Sequence, residues 1–222
     1  MMSLRDQYSK EFVRELDQIS QRHNRIEAFG DFVGMMAASF WTATAPDKDM
    51  AEKAYRVHAD RYNEGEMAHV EKMCEIVVRA LQVRRESFLG QILEDVGAAA
   101  KHNGQFLTPA DVANLMARIN ADGVDYTPGK VIRVSDPACG AGVTLIAQGE
   151  ALIHERHVEQ RDIFLTGGDI DKRACDMTFI ELSLLGYAAR VDHLNSLTMQ
   201  ELSPSRYTLG YFLHDMHMRG IK

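Results

Sequence analysis

Cysteine is scarce in this chain. Its 222 residues include three, Cys74, Cys139 and Cys175, far apart and odd in number. They offer neither a disulfide framework nor the close spacing of a metal site, and no metal is expected; a reducing, cytoplasmic setting is. Positive charge is short too. The 25 Lys and Arg stand against 32 Asp and Glu, for a net charge of −7. That excludes a protein that coats nucleic acid nonspecifically, because such binding rests on phosphate neutralisation, while leaving room for a local basic face. No apolar run is long enough to span a bilayer. Residues Met1 to Tyr8 carry charge from Arg5 onward and have no apolar core, so they do not read as a signal peptide. What remains is an ordinary globular composition, 45% hydrophobic and 26% charged, in a chain long enough to bury a substantial core.

The first hundred residues lack any strand signal and read as about five helices. Phe12, Leu16 and Ile19 recur at helical spacing, and Ile26, Phe29, Phe32, Val33, Met36 and Phe40 continue the pattern to Trp41. Pro46 is a helix boundary, Met50 to Tyr62 reads as a third helix, and Gly65 as a weak break. Two more helices are expected over Met67 to Leu81 and Phe88 to Val96. Arg56, Arg61, Arg79, Arg84 and Arg85 could line a face, but acids are interleaved with them, so a solvated mixed-charge surface is the expectation. A helical domain over 1–100 and an α/β domain over 101–222 follow.

The second half turns on Val131 to Gly142, V-I-R-V-S-D-P-A-C-G-A-G. A β-branched apolar run ends in an acid and a proline, a small-residue turn follows, and Val143 to His154 is helix-compatible. Such a turn brings backbone N–H groups close to a nucleotide-type ligand. Asp162 to Asp169 is a second strand ending in an acid, the usual place for a ribose-binding carboxylate. Asp171 then suits the N-cap of a helix over Lys172 to Leu185, with Gly186 closing it. Arg190 to Leu194 is a third strand, and Tyr211 to Leu213 a candidate fourth. Upstream, Thr108 suits an N-cap, Pro109 the first helical position and Asp111 the first turn.

Three stretches occur in order: Gly104-Gln105-Phe106-Leu107-Thr108-Pro109, Asp136-Pro137-Ala138-Cys139-Gly140-Ala141-Gly142, and Gly168-Asp169-Ile170-Asp171. Together they resemble the amino-methyltransferases that act on adenine N6 in DNA, in the subgroup that includes modification subunits of type I restriction systems. Short plasmid- and phage-borne DNA methylase-like proteins share the length and layout. The resemblance implies a helical bundle followed by an abbreviated Rossmann-like α/β sheet of about three to four strands, S-adenosylmethionine as cofactor, and DNA as a partner. Asp136 and the backbone of Ala138, Cys139, Gly140 and Gly142 would hold the methionine part. Phe106, Thr108 and Pro109 would close over the same end. Asp169, with Ile170, would take the ribose. In the family an acid near Asn195-Ser196 accepts from the adenine amino group of the cofactor; Asn195 can accept without charge, or simply form an Asx turn.

The chain departs from the family after the third strand. An Asn-Pro-Pro-Tyr or Asn-Pro-Pro-Phe segment should orient the target amine and stack on the flipped base. The tail S-P-S-R-Y-T-L-G-Y-F-L-H-D-M-H-M-R-G-I-K has one proline and no Asn. Three readings stay open: an adenine-N6 DNA methyltransferase; a non-catalytic regulator, decoy or accessory subunit of restriction-modification machinery; or a methyltransferase for another substrate whose acceptor site lies in the helical domain or across a dimer. The first strand of such a sheet is central, so without its neighbour Val131 to Ser135 would be an exposed apolar edge. The tail or a partner, either a second copy or another subunit, is expected to cover it. His193, His214 and His217 read as a surface cluster, not as metal ligands. Cys139 reads as a packing residue of the turn.

Overall fold

The computed structural model describes residues 3–21, 23–97 and 108–219. The chain divides into two compact units, Met1–Phe106 and Leu107–Lys222.

The first unit is helical among its described residues: α1 (Leu4–Ile19), α2 (Arg25–Trp41), α3 (Lys48–Ala59), α4 (Glu64–Val83) and α5 (Phe88–Gly97). Reciprocal capping boxes start two of them. Ser3 pairs with Asp6 ahead of α1, and Asn63 with Glu66 ahead of α4. Asn63 is therefore the break, and Gly65 lies inside the first turn of α4, because the box fixes the start two residues earlier. The buried side of α2 gathers the aromatic core. Phe12 stands edge-on to Phe29, Phe32 and Phe88, with ring centroids 6.2, 5.1 and 6.1 Å away. One carboxylate is buried here. Asp31 of α2 takes the Tyr62 hydroxyl at 2.8 Å, Arg61 Nη1 at 2.6 Å and His58 Nδ1 at 2.8 Å, tying the end of α3 to α2. Arg56, Arg79 and Arg84 each pair with a neighbouring acid, as a mixed-charge surface requires.

The second unit opens with α6 (Ala110–Ala121). Pro109 sits at its N-cap with no side-chain cap bond, so the helix begins one residue later than the Thr-Pro pattern suggests. The Pro109 carbonyl accepts the first helical bond, from Ala113 N–H at 3.0 Å. Ala113, Ala117 and Ala121 form the buried side, and α6 packs on α7 (Val143–Arg156).

The sheet holds β1 (Ile132–Asp136), β2 (Ile163–Asp169) and β3 (Ala188–Asn195) in parallel, with α8 (Lys172–Leu184) between β2 and β3. Two short strands, β4 (Gln200–Glu201) and β5 (Arg206–Tyr207), pair antiparallel with β3. Asp171 caps α8 by accepting from Arg173 N–H, and Gly186 takes a left-handed φ of 74° after it.

Tyr211 to Leu213 is helical, not a strand. It lies in α9 (Leu209–Met218), started by a Thr208 side chain that accepts from Tyr211 N–H. A three-residue apolar run does not distinguish helix from strand; the cap decides. Among the described residues the tail adds no strand to β1 either. Thr208 Oγ1 donates to Tyr187 O at 2.7 Å and accepts from Ala189 N–H at 3.0 Å, which seats α9 on β3. Gly210 lies so close that a Cβ there would fall 2.6 Å from Tyr187 O. Among the described residues β1 pairs only with β2, and its other edge carries no strand. His214 is buried, not part of a surface cluster. Its Nδ1–H donates to Arg161 O at 2.6 Å and its ring stacks on Phe164. No helix of the described residues is long and apolar enough to cross a membrane.

Candidate functional site

Parallel strands bring their carboxyl ends to one edge of the sheet, where open α/β folds place ligands. Here those ends are Asp136, Asp169 and Asn195, on adjacent strands. The glycine turn runs from the first tip into α7. Gly140 has φ 54° and Gly142, the N-cap of α7, φ 79°, both in the left-handed region that glycine adopts at little cost. A Cβ on Gly142 would also meet Thr178 Oγ1 at 3.1 Å.

Asp169 and the turn hold each other. Its Oδ2 accepts from Gly140 N–H at 2.9 Å, across 29 residues, and its Oδ1 accepts from Asp171 N–H at 2.9 Å. Asp136 is fixed in the same manner: Oδ1 takes Ala138 N–H at 3.0 Å and Oδ2 takes the Thr144 hydroxyl. Both carboxylates are half-exposed. Each oxygen has accepted one protein donor, and a carboxylate has about four acceptor positions, so each acid retains capacity for a ligand.

Other groups lock the turn from behind. Cys139 N–H donates to Gly168 O at 2.9 Å. The Thr178 hydroxyl of α8 donates to Gly140 O at 2.8 Å. Ser196 donates to Pro137 O, tying the end of β3 to the turn after β1. His193 bridges Ser203 Oγ at 3.1 Å and Ile170 O at 3.1 Å, holding the segment after Asp169. Cys139 is buried beside the Thr178 hydroxyl, and burial pushes its thiol up to about 12, so it packs as a neutral group and not as a nucleophile.

The sequence-derived residues thus divide. Asp136, Ala138, Cys139, Gly140, Gly142, Asp169, Ile170, Asn195 and Ser196 meet at the strand tips, with Ile170 exposed at 61%. Thr108 and Pro109 directly precede α6. Phe106 lies outside the described residues. The Asn195 side chain forms an Asx turn, its oxygen accepting from Leu197 N–H at 3.0 Å and Thr198 N–H at 3.3 Å. Sequence reasoning missed Thr144, Thr178 and His193. Thr144, in the first turn of the helix after a Gly-rich loop, had a local signal. The other two act through contacts that no spacing announces. Among the described residues no three His, Cys, Asp or Glu side chains are placed to hold a metal.

The donor set suits a ligand with an ammonium, a carboxylate and vicinal hydroxyls. Carboxylates answer the first and last, and the N-terminus of α7 answers the second. No curated protein matches the chain at a significant level. In three dimensions it is similar to a crystal structure described as a class I S-adenosylmethionine-dependent methyltransferase from Listeria monocytogenes. The TM-score is 0.51 at 14% identity, covering 96% of this chain and 70% of that one. At that identity the likeness establishes the fold. The family model for N-6 DNA methylase matches residues 88–210. With more than half of its length matched, the chain belongs to the N-6 DNA methylase family.

Proposed function

We propose that the chain binds S-adenosylmethionine across the tips of β1, β2 and β3, as the cofactor for methyl transfer to adenine N6 in DNA. When bound, this cofactor supplies a methyl group activated on a sulfonium. Asp136 binds its ammonium, and the N–H groups at the start of α7 bind its carboxylate. Asp169 accepts from the ribose hydroxyls while its second interaction holds the Gly140 turn. Gly140 and Gly142 let the backbone approach. The observation that carries this reading is the Asp169–Gly140 bond, which joins two acid-and-glycine stretches into one cradle.

Calorimetry with S-adenosylmethionine tests it. Wild type should bind, and Asp169→Ala and Asp136→Ala should each weaken binding at least about tenfold, the loss of one charged hydrogen-bonding group. Absence of heat from a folded wild type would remove the reading.

A second reading is favoured by one specific observation. The five prolines include no adjacent pair, so the sequence has no Asn-Pro-Pro step to hold a flipped base. After β3 the described chain also turns back antiparallel, away from the free edge of β1. Both features support a protein that keeps the cofactor pocket and acts as a regulator or accessory subunit of restriction-modification machinery. Tritiated-methyl transfer to unmodified DNA separates the two. Incorporation establishes the enzyme; tight cofactor binding without incorporation favours the second reading.

A further inference from the structure

Asn195 closes β3, the next tip after those of Asp136 and Asp169. Its side-chain oxygen accepts two backbone N–H groups, from Leu197 and Thr198. The same turn is closed by Thr198 N–H to the Asn195 carbonyl at 3.2 Å. The Leu197 N–H and a Thr198 N–H shared with the Asn195 carbonyl both sit on this oxygen, so the turn holds it and turns it toward the backbone. What the side chain can still offer is its NH2 group, which only donates. A carboxylate would differ, since one oxygen could close the turn while the other still accepted.

Strand order sets the order of the ligand's parts. With the amino-acid end at β1 and the ribose at Asp169 on β2, the base extends toward β3 and Asn195. Resting on the S-adenosylmethionine reading above, we infer that Asn195 meets the cofactor's base with a hydrogen-bond donor, so the site does not select for the adenine amino group. Sites that accept from a substrate N–H reject analogues lacking it, because a buried acceptor is left unpaired. No side-chain acceptor waits at position 195, so that source of discrimination is missing. A purine with oxygen at position 6 offers an acceptor to the same NH2 group.

The test is calorimetry of wild type and Asn195→Asp with S-adenosylhomocysteine and S-inosylhomocysteine. Wild type is expected to bind the two within about threefold, well under the tenfold or more that one charged hydrogen bond supplies. Asn195→Asp keeps the turn through one oxygen and gains an acceptor, so it should prefer the adenosyl compound by about tenfold or more at an unchanged melting temperature. A wild type that prefers the adenosyl compound by more than about tenfold overturns the inference, as does a variant with the wild-type ratio. No heat with either compound refutes the cofactor reading itself and takes this inference with it. A skewed ratio refutes the inference alone.

Discussion

Replacing Asp169 with Asn isolates the contact that assembles the cradle. The carboxylate takes Gly140 N–H on one oxygen and Asp171 N–H on the other, each at 2.9 Å. Asn has the same shape but one oxygen. One N–H keeps its acceptor, and the other faces an NH2 group. A hydrogen bond to a charged group contributes about 1.5–3 kcal/mol, but water reaches this half-exposed site, so the expected loss is about 1–2 kcal/mol. For a chain of this size 1 kcal/mol moves the melting temperature by about 2–4 °C, which gives a fall of about 2–8 °C. Calorimetric melting of ligand-free protein reads it directly, without reference to any cofactor. An Asp169→Asn protein melting within about 1 °C of wild type would refute the double grip.

Three further outcomes follow from the packing and the buried thiols. A Cβ at Gly34 would fall 2.4 Å from His58 Nε2, and Asp31 holds that ring in place. Gly34→Ala should therefore cost about 1–3 kcal/mol. In a His58→Ala background it should be neutral or stabilise by up to about 1 kcal/mol; additive effects in a urea double-mutant cycle would refute the clash. Burial raises the Cys74 thiol to about 11 and that of Cys139 to about 12, and raises Cys175 too. Unfolded thiols ionise near about 8.5, so this stabilisation is complete below that pH and lost as pH climbs toward 11–12. The melting temperature should fall from about pH 9 upward, and in native protein at about pH 8 Cys139 and Cys175 should not react until denaturant exposes them, while half-buried Cys74 reacts slowly because its thiol is held neutral; rapid native labelling of Cys139 or Cys175 would refute it. The outer edge of β1, without a strand partner among the described residues, calls for a cover. Light scattering on the order of 50 µM should give about twice the 25.0 kDa chain mass, and a monomer would leave a different subunit as the cover.

The helices were legible because their signals are local. Phe12, Leu16 and Ile19 mark the buried side of α1, and Val70, Met73 and Val77 that of α4, by spacing alone. The β1–turn–α7 segment was legible for a related reason: β-branched residues, an acid and glycines at left-handed positions each constrain a few neighbouring residues. Where local signals were ambiguous, the outcome was not. Tyr211 to Leu213 fits either period over three residues, and Thr208 together with the close approach of Gly210 to Tyr187 made it helix.

The sequence by itself determined the five helices described before residue 98, the strand–turn–helix unit and the acids that end β1 and β2, because periodicity, capping and glycine conformation act within a few residues. Only the tertiary structure decided what those acids hold. Asp169 grips Gly140 from 29 residues away, Thr178 reaches the same turn from α8, and Ser196 ties β3 to Pro137. It also decided that α9 packs on β3 and that, among the described residues, no strand pairs with the outer edge of β1, because strand pairing and helix docking join segments whose separation in sequence carries no record of their contact.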